Sequence, residues 1–144
     1  MTRTMLARKA RITRVRSAQH MMAASAAASA DQQVVTLETN ATKLSTLRDS
    51  LTLSIGATSG AAMQNRGELG QRLDRARDSI GQAIANARRV AEQKADERLE
   101  ARQKQESAAK LDARAAQAYA AWVDDRAAAA FRPRGPRNPN QGQS

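Results

Sequence analysis

Ser54-Ile-Gly-Ala-Thr-Ser-Gly60 interrupts a chain that otherwise offers almost nothing to stop a helix. Up to Pro133 there is no proline, runs of β-branched residues are short, and Ala, Arg, Gln, Glu and Leu dominate. Most of these are strong helix formers, so the two glycines four positions apart stand out. A glycine just past a helix C-terminus, followed by a Thr or Ser able to cap the next helix, is the chemistry of chain reversal. The stretch predicts a first helix over about 4–55, a turn over 56–60 marked by Gly56 and Gly60, and a second helix over about 61–131.

Apolar spacing supports the reversal. Val34, Leu37, Ala41, Leu44, Leu51 and Ile55 follow a heptad seam interrupted at Arg48, and Leu73, Ile80, Ile84, Ala87 and Ala91 continue one in the second half. Farther on, Leu111, Ala115, Ala118 and Trp122 step by 4, 3 and 4. In an antiparallel pair, facing residues have numbers of constant sum. Leu37 with Ile80, Leu44 with Leu73, Ala30 with Ala87, Ala26 with Ala91 and Leu6 with Leu111 all add to 117, which centres the pairing at 58.5, inside the glycine stretch. The expected fold is all-α: a long antiparallel two-helix coiled-coil hairpin over 1–131, with 132–144 as a disordered basic tail rich in proline and glycine. Gly67, Gly70 and Gly81 each cost a helix about 1 kcal/mol relative to alanine, so the turn-proximal end is expected to be the looser one.

Composition narrows what such a hairpin does. The chain has no cysteine, and its one histidine, His20, stands alone in a polar stretch, where it reads as a solvated helix residue. No thiolate metal site, disulfide framework or catalytic dyad can be assembled, and no cofactor is expected. Although 41% of residues are apolar, most of that share is alanine, which buries little. No apolar run approaches the ~20 residues of a membrane span. The Arg-rich start, ending in small residues at Ala30, lacks the hydrophobic stretch of a cleaved leader, and a cytosolic location is expected. Nucleotide-binding glycine loops, zinc-protease helices and nucleophile elbows are missing, and a two-helix hairpin has no enclosed pocket. The acids at 96, 97, 100 and 106 interleave with bases at spacings of three and four, as solvated ion pairs do. The expectation is a protein that is not an enzyme.

The net charge of +10 is unevenly placed. Arg3, Arg8, Lys9, Arg11, Arg14 and Arg16 give the first 20 residues +6 with no acid, the last 13 residues add +3, and the 111 between them are almost neutral. All three aromatics, Tyr119, Trp122 and Phe131, fall where the second helix outruns the first, beyond about position 113 on the expected register. Large aromatics without an intrachain partner are candidates for contact with another protein. Basic ends also suit phosphate, but no aromatic interleaving or recognition fold accompanies them, so no specific nucleic acid is expected.

The basic N-terminus, the reversal at Gly56 to Gly60, Gln32-Gln33 leading into Leu37, Leu44 and Leu51, then Leu69, Leu73 and Ile80, and the charged Glu106-Ser-Ala-Ala-Lys-Leu-Asp-Ala-Arg-Ala115 together resemble the FliJ family over nearly the whole chain to about Arg132. That family is the coiled-coil component of the bacterial flagellar export apparatus, with YscO-type relatives in injectisomes. The resemblance implies a stalk whose joined termini insert into the hexameric export ATPase while the turn end reaches the export gate protein, with a further role in escorting export chaperones. It implies a cytoplasmic protein peripheral to the inner membrane, held there through the export complex. On this reading Arg3, Arg8, Arg11, Arg14, Trp122 and Arg126 contact the ATPase, and Leu47, Leu51, Leu69 and Arg72 contact the gate. Two alternatives stay open: a basic, nucleoid-associated helical protein, and a homo-oligomeric coiled-coil scaffold.

Overall fold

A computed structural model describes residues 2–53, 59–133 and 135 of the 144-residue chain. Two α-helices make up the described fold, α1 (Arg3–Leu53) and α2 (Gly60–Ala130). They run antiparallel and pack against each other as a hairpin. Backbone contacts divide the chain into two units: Met1–Arg16 with Lys104–Ser144, and Ser17–Gln103.

The ends of the helices follow from local chemistry. At α1, the Thr2 carbonyl accepts from the Met5 and Leu6 N–H groups. At α2, Ser59 is the N-cap: its Oγ accepts from the Ala62 N–H at 3.3 Å and its carbonyl from the Met63 N–H at 3.1 Å. Gly60 is thus the first residue of α2, and it has no left-handed backbone. Gly56, Ile55 and the rest of the expected turn before Ser59 lie outside the described residues. The C-terminus of α2 tightens, with Phe131 and Arg132 donating to carbonyls three residues back before Pro133, which lacks a donor. Of the expected tail, residue 134 and residues 136–144 also lie outside the described set.

In the Ser17–Gln103 unit the expected seam is present. Ala27 and Ala30 are buried, and Val34, Leu37, Ala41, Leu44, Arg48 and Leu51 are half-buried, in alternating steps of 3 and 4. Opposite them Leu73, Ile80, Ile84, Ala87 and Ala91 are half-buried. Ala26, expected to face Ala91, is exposed, because Ala27 and Ala30 are the alanines that fall on the heptad. Arg48 does not interrupt the seam but occupies it. Its guanidinium lies over the buried Gly70, and its Nε donates to Asp74 Oδ1 at 3.1 Å. Across the same pair of helices, Arg88 Nη2 and Glu38 Oε1 are 2.7 Å apart, with both side chains largely in solvent.

His20 departs from its expected state. It is half-buried, and its Nε2 is shielded from solvent without a hydrogen-bond partner among the described residues. It falls three residues after Ser17 and three before Ala23, both half-buried, so its position in the heptad turns it inward despite its polar neighbours in sequence.

In the Met1–Arg16 and Lys104–Ser144 unit the seam is polar. Leu6, Lys9, Ala10, Thr13 and Arg16 of α1 are half-buried, while α2 offers Gln105, Ala108, Asp112 and Tyr119, half-buried, and Ala115, only 2% exposed. Thr13 Oγ1 reaches both its own-helix Lys9 carbonyl at 3.2 Å and the Ala108 carbonyl of α2 at 3.3 Å. Thr13 and Ala108 add to 121, one helical turn away from the expected 117. The stripe Leu111, Ala115, Ala118, Trp122 is therefore corrected: Leu111 is 55% exposed, Ala118 and Trp122 are exposed, and only Ala115 is inside. On this register Leu6 stands opposite Ala115, one heptad from the Thr13 and Ala108 pair, rather than opposite Leu111.

Candidate partner-binding surfaces

Two surfaces carry the residues singled out from sequence, one in each unit. In the first unit, the corrected register shortens the overhang of α2. It begins after Tyr119, not near 113, and every described residue from 120 to 133 is exposed. Tyr119, expected in the overhang, is half-buried just before it, and Trp122 stands three residues on, with ring centroids 5.9 Å apart at a 31° tilt. One turn farther, the Arg126 guanidinium lies 5.2 Å from the Trp122 ring centroid. A cation over an indole face is worth about 0.5–1 kcal/mol at an exposed site and fixes the indole's orientation. The result is a short ladder of Tyr, Trp and Arg, with Trp122 44% exposed and Phe131 exposed beyond it.

Arg3, Arg8, Arg11 and Arg14 belong to the same unit and are all exposed. None of the four has a hydrogen bond or ion pair to another described residue. The charge reading from sequence thus corresponds to unpaired guanidinium groups, whereas Lys9 and Arg16 turn partly into the seam.

The second surface lies in the Ser17–Gln103 unit. Leu47, Ser50 and Leu51 of α1 and Leu69 and Leu73 of α2 line an open groove of about 380 Å³. Leu47 is 55% and Leu69 46% exposed, so the groove offers leucine side chains to solvent. Three of the four residues assigned to the turn side, Leu47, Leu51 and Leu69, come together here, while the exposed Arg72 does not line it. Sequence reading singled out Phe131 but missed Ser50 and the exposed Val123, although the absence of any facing heptad residue after Tyr119 was a usable signal for the latter.

Among the described residues no group of three or more His, Asp or Glu side chains is placed to hold a metal ion, and no helix is long and apolar enough to cross a membrane. The pair of long antiparallel helices thus displays a ladder of Tyr119, Trp122 and Arg126, a row of unpaired arginines and a leucine groove.

The model of the flagellar FliJ protein matches residues 10–126, and the chain belongs to the FliJ family. It is accordingly a non-enzymatic component of the flagellar protein-export apparatus. Neither the curated proteins nor the solved structures give a match to this chain.

Proposed function

We propose that the protein acts as a stalk that binds the ring of the flagellar export ATPase and couples it to the export gate. The observation that carries this reading is the ladder in which Trp122 and Arg126, on a length of α2 that α1 does not cover, follow the half-buried Tyr119. A rigid indole held by an arginine and left open to solvent is the kind of group that anchors a protein interface. Arg3, Arg8, Arg11 and Arg14, unpaired and in the same unit, supply positive charge that steers the chain toward an acidic ring interior. Leu47, Leu51 and Leu69, with Arg72 nearby in sequence, are assigned to the gate protein, whose contact would fill the leucine groove. Export chaperones are further partners on this reading, and the protein is cytoplasmic, reaching the inner membrane with the export complex.

The mechanism is mechanical. Insertion of the stalk favours assembly of ATPase subunits into a ring, and binding at two surfaces links nucleotide turnover to gate engagement. Adding the purified chain to the export ATPase of the same genome tests it. Hydrolysis should rise and the ATPase should shift from monomer to ring by sedimentation, with Trp122→Ala losing both effects. Unchanged hydrolysis and an unchanged monomer would refute the coupling role.

A further inference from the structure

Besides its charge, the start of α1 carries apolar side chains that packing against α2 does not use. Leu6, Ala10 and Thr13 turn toward α2. Along a different side, Met5, Arg8, Ile12 and Val15 step by 3, 4 and 3, and Met5, Ile12 and Val15 are 51%, 45% and 50% exposed. At about 100° per residue, Arg11 borders this stripe, whereas Arg14 and Arg3 lie about 140° and about 160° round the helix from its centre. The four arginines have no partner among the described residues, and no Asp or Glu occurs in the chain before Asp31. The helix thus presents an aliphatic stripe with the unpaired guanidinium groups of Arg8 within it and Arg11 at its edge.

We propose that this face of α1 lies on an anionic lipid surface, with Arg8 and Arg11 on headgroup phosphates and Met5, Ile12 and Val15 in the boundary between headgroups and acyl chains. An interfacial helix needs both features at once, apolar residues on the buried side and arginines at its flanks. A nucleic-acid backbone would engage the arginines but leaves three exposed aliphatic side chains without a role, since its affinity comes from phosphate neutralisation. The contact is independent of the aromatic ladder. Because the arginines are shared with the proposed ATPase contact, lipid and ring compete for them, and the membrane holds the chain only while the ring does not.

Sedimentation of the full-length protein with vesicles of phosphatidylcholine, with and without phosphatidylglycerol, is the test. Binding should require phosphatidylglycerol, weaken by about fivefold for each of Arg8→Gln and Arg11→Gln, and fall at least tenfold in Met5→Gln/Ile12→Gln/Val15→Gln with helical content retained by circular dichroism. A second measurement does not depend on that triple variant folding: in a Trp122→Phe background, Ile12→Trp should shift its emission to the blue on anionic vesicles. Trp122→Ala should bind vesicles as the parent does, which separates this contact from ATPase stimulation. Equal binding to neutral vesicles, no blue shift, or undiminished binding by the folded triple variant would overturn the proposal; in the last case the face is a general polyanion contact, and duplex DNA would compete as well as lipid.

Discussion

Arg48 of α1 lies over Gly70 of α2, and a methyl group added to the glycine would stand 3.2 Å from the arginine Nη1 and 3.4 Å from its Cζ. The glycine and the arginine are one packing solution. A long side chain enters the seam because the facing position has no side chain, and Asp74 holds the emerging charge.

Alanine at the glycines of α2 separates helix propensity from this fit. Gly67 and Gly81 have nothing within 4 Å of an added methyl, so each change to alanine should stabilise the hairpin by about 1 kcal/mol. Gly70→Ala should fall short of them, because the same propensity gain is offset by displacing Arg48 from its place in the seam. Urea denaturation followed by circular dichroism reads the order, and a Gly70→Ala gain equal to that of Gly81→Ala would show that the arginine moves aside freely.

The stem of Arg48 should matter more than its charge. Asp74→Ala removes only a half-exposed ion pair and should cost less than about 1 kcal/mol. Arg48→Ala also empties the space over Gly70 and should cost about 1–2 kcal/mol, from lost packing of the aliphatic stem. The difference between the two urea midpoints is the measurement.

Position 115 distinguishes the two registers. Ala115→Leu forces a large side chain into a closed contact and should destabilise by about 1–3 kcal/mol, whereas Leu111→Ala should change stability by about 0.5 kcal/mol or less. Were Leu111 paired with Leu6, the costs would be reversed.

Ser59→Ala removes the side-chain acceptor for the Ala62 N–H and should cost about 1 kcal/mol, with Ser59→Asp restoring most of it. Thermal melts of the two variants check this.

Trp122→Ala should leave the melting profile of the hairpin almost unchanged, since the indole rests on its own helix and on Arg126 alone. As the single tryptophan of the chain, it should shift its emission to the blue when the ATPase binds. An altered melt with unaltered emission would move the residue from contact to structure.

The residue types of the chain determined that it is helical, that it folds back between Leu53 and Gly60 and that its ends are basic, because helix propensity and charge are properties of residues one at a time. The seam from Val34 to Leu51 was legible for a related reason: valine and leucines at heptad spacing leave one side of a helix distinctly apolar. The register and the inner side of α2 near its end were decided only by tertiary structure. In an alanine-rich helix nearly every stripe is equally apolar, so Leu111 and Trp122 mark the buried side no better than Gln105 and Asp112 do. Pairing is settled there by the fit of Thr13 on Ala108 and close contact at Ala115, which no single helix encodes. The same fit leaves Trp122 uncovered and turns His20 inward, because both follow from where the partner helix lies rather than from the residues beside them in the chain.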